Sequence, residues 1–253
     1  MKPPLVVGNW KMHGTISEAF ALAREVRKGL KPANRAEVVL APPFTALVTV
    51  QKAIQHSSIG LAGQNVHWEN EGAFTGEISP KMLRDSGCGF VIVGHSERRH
   101  LFNESDQTVA KKVAAALAAR LRPILCVGET LGERRRGDTT KVIGRQLRLA
   151  LKGIEKNDIQ RIEIAYEPVW AIGTGHNATP DQIESVHRWT RQMLRKLVGI
   201  QAAKKNRILY GGSVRPENAA ELVRIPEVNG LLVGGASLQA KNFLSILDHF
   251  IRA

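Results

Sequence analysis

The sequence predicts an α/β protein: a closed, eight-stranded parallel (β/α)8 barrel forming one domain over residues 1–253. Three observations predict it. Eight short β-branched apolar runs recur along the chain, most of them nearly free of charge, as parallel strands buried on both faces should be. Each is followed by a longer stretch with helical apolar spacing. Eight such units fill 253 residues with no long linker, which suits closure; an open doubly wound sheet is the alternative.

In chain order the expected strands are Leu5–Gly8, Glu37–Ala41, Ile59–Ala62, Phe90–Val93, Pro123–Val127, Ile162–Tyr166, Arg207–Tyr210 and Gly230–Val233. After the fourth, Ser105 precedes an apolar stripe of Val109, Val113 and Leu117. After the sixth, Thr179-Pro180-Asp181-Gln182 supplies a cap, a proline at the first helical position and a glutamine to complete a capping box. Ile183, Val186, Trp189, Met193 and Leu197 then follow at three- and four-residue spacing. Two long loops remain, Gln64–Ser79 and Glu167–Ala178, and structureless loops of that length in a compact domain usually carry a function.

Composition narrows the class. At 43% hydrophobic and 23% charged the chain has ample material for a packed core, so disorder is excluded. Neither a cleavable leader nor an apolar stretch near membrane-spanning length is legible, so no membrane is expected. Two cysteines, Cys88 and Cys126, lie far apart in no metal-type spacing and point to a reducing, cytoplasmic compartment. A net charge of +13 raises the question of a polyanion partner. Yet Arg98-Arg99, Lys111-Lys112, Arg134-Arg135-Arg136 and Lys204-Lys205 are scattered and not interleaved with aromatics. They read as a solvated outer surface whose field also draws anions inward, and they argue against nucleic acid.

Chemistry in such a barrel gathers where the strands end at its C-terminal face. The first ends in Gly8-Asn9-Trp10-Lys11, the fourth in Gly94-His95-Ser96-Glu97 and the sixth in Tyr166-Glu167-Pro168. An isolated glutamate is most often a surface or salt-bridged residue. Glu167, however, is held extended by the following proline, between a buried strand and a long loop, which favours a base strengthened when that loop excludes water. His95 sits before Ser96, a good helix cap, where the helix N-terminus favours a neutral imidazole. Lys11 either faces an anion or forms a Schiff base, and Asn9, two residues earlier, shares its strand face. Glu97 neutralises a neighbour. The seventh and eighth strands end in Gly211-Gly212-Ser213 and Gly234-Gly235-Ala236, positions suited to bind phosphate through backbone N–H groups. Gly173-Thr174-Gly175-His176-Asn177-Ala178 matches a dinucleotide pattern but begins several residues after the strand, and the next strand ends in glycines rather than an acid, so the match is accidental.

Taken together, these strand ends resemble the triosephosphate isomerase family over the whole chain. The resemblance rests on Asn9-Trp10-Lys11-Met12, Gly94 to Arg99, Ala165 to Gly175, Tyr210 to Val214 and Leu231 to Ala236, five motifs in the family's order. It implies a TIM-barrel enzyme that interconverts dihydroxyacetone phosphate and glyceraldehyde 3-phosphate without metal or cofactor. Glu167 would be the base, His95 a neutral electrophile, Lys11 the group that stabilises developing negative charge and Asn9 a polar contact. Gly173, Gly212, Ser213, Gly234 and Gly235 would hold the phosphate, and Glu97 would support. Pro168–Ala178 would be a lid excluding water, and the family implies a homodimer with Thr75, in the Gln64–Ser79 loop, reaching the partner. His13, Asn229 and the lid's His176-Asn177 depart from the family's usual residues, as does the basic charge. Two rivals remain: a Schiff-base lyase built on Lys11, and a basic barrel that binds nucleic acid.

Overall fold

The computed structural model describes residues 2–172 and 178–251. Eight strands, β1 (Leu5–Asn9), β2 (Glu37–Ala41), β3 (Gly60–Gly63), β4 (Phe90–Val93), β5 (Arg122–Val127), β6 (Glu163–Tyr166), β7 (Ile208–Tyr210) and β8 (Gly230–Val233), pair in parallel in sequence order. β1 also pairs with β8, with Leu5 opposite Gly230 and Gly8 opposite Val233, so the sheet closes. The expected strands match these within one residue at either end. The open doubly wound alternative falls with that closure.

Side-chain alternation explains why the strands read as continuous apolar runs. Leu5 and Val7, Phe90 and Ile92, Ile124 and Cys126, Ala165, Leu209 and Leu232 fill the barrel interior. Their neighbours Val6, Val91, Leu125, Ile164, Ile208 and Leu231 pack outward against the helices.

The helix after β6, Pro180–Val198, begins with the expected box: the Thr179 side chain accepts from the Gln182 N–H, and Gln182 answers the Thr179 backbone. Its inner face differs from the expected stripe in part. Ile183 and Val186 are buried, but Trp189, Met193 and Leu197 only flank the core, while His187, Thr190, Arg191, Leu194 and Val198 are buried. Spacing counted apolar residues alone and so rotated the face. Arg191 is admitted because its guanidinium bonds to Glu227 and to buried backbone oxygens. The helix Asp106–Ala118 is capped by Ser105 and buries Val109, Val113 and Leu117 as expected. Gln64 to Ser79 contains neither helix nor strand, both cysteines are free and buried, and no helix among the described residues is long and apolar enough to cross a membrane.

Candidate active site

A cavity of about 660 Å³ opens at the C-terminal ends of the strands, lined by Asn9, Lys11, His95, Glu167, Gly211, Gly212, Ser213, Gly234 and Gly235. Strand parity puts several of them there. Leu5 and Val7 point inward, hence Asn9; Ala165 points inward, hence Glu167; Leu209 and Leu232 point inward, hence Gly211 and Gly234. The two glycines leave room for the reactive groups. A Cβ on Gly211 would lie 3.0 Å from Glu167 Cγ, and one on Gly234 would lie 3.3 Å from Lys11 Cε.

Parity alone does not place His95, which follows Gly94 at φ +72°. That left-handed turn, open to glycine, redirects the chain so that the imidazole faces the cavity. His95, rather than Ser96, caps the helix Ser96–Leu101: it is extended, and its Nδ1 accepts from the Glu97 N–H at 3.2 Å. Ser96 is already helical, and its groups turn to Glu167 instead. With Nδ1 accepting, a neutral ring carries its proton on Nε2, which lies 3.0 Å from Glu167 Oε1.

Glu167 is 2% exposed. Its carboxylate accepts from the Ser96 N–H at 2.9 Å, and its own N–H donates to the Val127 carbonyl. Gly128 allows that approach, because a Cβ there would stand 1.8 Å from the Glu167 carbonyl oxygen. Cys126 is buried beside the same carboxylate; burial, then the charge of Glu167, push its thiol well above the usual range, which makes it a poor nucleophile.

Lys11 lies beyond the end of β1 at φ +52°, so strand alternation is not what aligns it with Asn9. A local turn does so. The Lys11 N–H donates to Asn9 Oδ1 at 3.1 Å, Gln64 Nε2 donates to the Lys11 carbonyl at 2.8 Å, and the ammonium meets Glu97 Oε1 at 2.6 Å. Glu97 does not line the cavity; it holds Lys11.

On the opposite wall, a Cβ on Gly212 would collide with the Tyr210 hydroxyl at 2.2 Å, whereas one on Gly235 would meet nothing within 4 Å. Gly212 is therefore required by packing, and Gly235 leaves its backbone open to the cavity. Gly173 lies outside the described residues, as do all but the last residue of the dinucleotide-like pattern from Gly173 to Ala178 and residues 173–177 of the expected lid.

The matching family model is that of triosephosphate isomerase, over residues 4–250. The chain belongs to the triosephosphate isomerase family. It is 48% identical over 248 residues to the triosephosphate isomerase of Pelobacter propionicus, covering 98% of this chain and 99% of that one. To the triosephosphate isomerase of Roseiflexus sp. (strain RS-1) it is 51% identical over 251 residues, covering 99% and 98%. To that of Carboxydothermus hydrogenoformans it is 49% identical over 247 residues, covering 98% of each.

Within this member of the triosephosphate isomerase family, every expected site residue among those described meets at one rim. Asn229, one departure, sits at the other end of the strands, where its Oδ1 accepts from Arg191 and from the Ile208 N–H. Sequence reading missed Gln64, the Ser96 contact and Glu129. The buried Glu129 carboxylate accepts from the Tyr166 hydroxyl at 3.2 Å, Trp170 Nε1 at 2.9 Å and Arg134 at 3.1 Å, so it anchors the turn that follows Glu167. Arg134 also covers the Trp170 ring at 4.4 Å, which gives one of the three consecutive arginines a fixed task.

Proposed function

We infer that this chain is a triosephosphate isomerase, interconverting dihydroxyacetone phosphate and D-glyceraldehyde 3-phosphate through an enediol(ate) in glycolysis and gluconeogenesis. One observation carries the reading: a buried carboxylate, an imidazole Nε2 and an ammonium group share one cavity with the glycine turns after β7 and β8. In this proposal Glu167 removes the proton from the carbon beside the carbonyl and returns it to the neighbouring carbon. To do so it must leave the Ser96 N–H and His95 Nε2 that now hold it, which frees its lone pairs for the substrate. His95 Nε2–H then faces the carbonyl and enediol oxygens in place of the carboxylate, and Lys11 stabilises their negative charge. Asn9 keeps the Lys11 turn in place. Backbone N–H groups of Gly212, Ser213, Gly234 and Gly235, with Gly173, take the phosphate, whose dianionic charge suits clustered donors. Pro168–Ala178 is proposed as the lid that keeps water from the enediolate.

We further propose one barrel domain, a cytoplasmic location and a homodimer in which Thr75 reaches the partner. Lys11 bound to Glu97 at 2.6 Å stands against the lyase rival, which needs a desolvated, uncharged amine. The test is a coupled isomerase assay on Glu167→Gln, which removes the base at constant shape. The expected outcome is a fall in kcat of about a thousandfold, with substrate still bound. Near-normal turnover would refute the assignment, and a borohydride-stable substrate adduct on Lys11 would favour the lyase.

A further inference from the structure

Lys204-Lys205 find no task at the active site; they lie at the N-terminal end of the barrel, among several other basic residues. There, a concavity of about 330 Å³ is lined by Lys2, Arg191, Arg195, Lys204, Lys205 and Arg207, against one carboxylate, Glu227. We propose that this concavity is a second anion site, built for a compact polyphosphate, at the opposite end of the barrel from the isomerase cavity.

The local charges do not cancel. Glu227 answers Arg191 at 2.9 Å. Glu163 and Glu37, at the starts of β6 and β2, are shared among Lys2, Arg122 and Arg207. Lys205 donates only to Gln160, and among the described residues the side chains of Arg195 and Lys204 have no ion pair or hydrogen bond. Burial, then the charges of Arg122 and Arg207, outweigh Glu163 and pull the Lys2 ammonium below the usual range.

The walls are preorganised. Arg191 is clamped by Glu227, by Asn229 Oδ1 at 2.7 Å and by the Asn206 carbonyl at 2.8 Å. Gly199, at φ +86°, joins the helix Pro180–Val198 to the short helix Ile200–Ala203, and this corner brings Arg195 and Lys204 to the same concavity. Arg195 and Lys196 also answer the carbonyl end of the long helix, an ordinary role for basic residues in a last turn. That accounts for neither Lys2, Lys204 nor Lys205. A small concave site with no aromatic in its lining suits a compact free anion better than a nucleic-acid strand, which needs an extended groove and stacking platforms. An inorganic polyphosphate and the phosphate chain of a nucleotide share the required chemistry.

The experiment titrates tripolyphosphate into the full-length protein by calorimetry at fixed ionic strength, and repeats it with a nucleoside triphosphate and a single-stranded oligonucleotide. The paired variant Arg195→Gln with Lys204→Gln is expected to weaken tripolyphosphate binding by about tenfold or more. The same anion's competitive inhibition of isomerisation, which reports on the other cavity, should stay unchanged. Equal affinity for the two polyphosphates assigns the site to the phosphate chain alone, and tighter nucleotide binding assigns it to nucleotides; either supports the site. Unaltered binding in the paired variant, heat that sodium chloride of equal ionic strength reproduces, or preference for the oligonucleotide overturns it. Charge reversal, Arg195→Glu with Lys204→Glu, gives a second reading at exposed positions that carry no core packing.

Discussion

Lys11 shows what a functional position costs one residue. A non-glycine side chain at φ +52° is unfavourable by about 1 kcal/mol, and glycine there would relieve it. Glycine would also remove the ammonium that faces the cavity, so the strain is kept and held by Asn9, Gln64 and Glu97. His187 is the opposite case, a titratable group kept without charge. Fully buried near the Tyr166 and Tyr210 rings, it donates Nδ1–H to the Glu227 carbonyl at 3.1 Å. Burial, aided by the charge of Arg191, pushes its pKa down from 6.5 to about 4. The unfolded chain therefore binds a proton between these values that the folded chain refuses. His187 contributes stability of about 3 kcal/mol that is fully present above pH 6.5 and is lost as pH falls to about 4. His187→Asn keeps a side-chain N–H for Glu227 without titrating. Urea unfolding from pH 7 to 4, at constant protein concentration, should show a shallower decline in the variant; parallel curves would mean that His187 is not the group responsible.

Elements position these residues, and the turn after β6 is the one that joins Glu167, the proposed base, to the proposed lid. Val169–Ala171 forms a short 3-10 turn whose Val169 N–H donates to the Glu129 carbonyl, while Trp170 Nε1 donates to the Glu129 carboxylate. Trp170→Phe removes that donor and keeps a ring for Arg134 to cover. The expected result is a stability loss of about 1 kcal/mol and a fall in kcat of about threefold to tenfold, read by urea unfolding and the coupled assay. Unchanged kcat would detach this turn from the catalytic cycle. How far such elements could be read in advance follows from their physics. Strands buried on both faces leave apolar runs that are hard to misplace, and glutamate or asparagine at the end of such a run stands out. The inner face of Pro180–Val198 was less legible because Arg191 and His187 are buried through hydrogen bonds formed with residues near position 227, which periodicity does not see. Glu129 was hidden for the same reason: Tyr166 and Trp170 lie 37 and 41 residues away along the chain. His95 could be suspected from its neighbours, but its capping role depended on Gly94 turning the backbone.

At the scale of the molecule, the proposed homodimer gives the surface around Thr75 a partner, a second copy of this chain. Phe74, Thr75 and Phe102 line one concavity of about 410 Å³, with Phe74 43% and Phe102 64% exposed. Met12, adjoining the strained Lys11, is 93% exposed. Large apolar side chains left in water on a chain with so complete a core mark an interface more often than an accident. If the chain that meets Thr75 also covers Met12, the gain extends beyond burial, because covering Met12 would steady the turn that aims Lys11. Association and catalysis then become linked quantities. Thr75→Arg places a charge in the contact, where it would be desolvated without a planned partner, and should raise the dimer dissociation constant by about a hundredfold or more. In sedimentation the parent protein should run at twice the 27.8 kDa chain mass. Diluted below its dissociation constant, the variant should lose specific activity in step with its monomer fraction and regain it on concentration. A parent protein that sediments as a monomer at full specific activity would show that the loop serves something else and that the Lys11 turn holds itself.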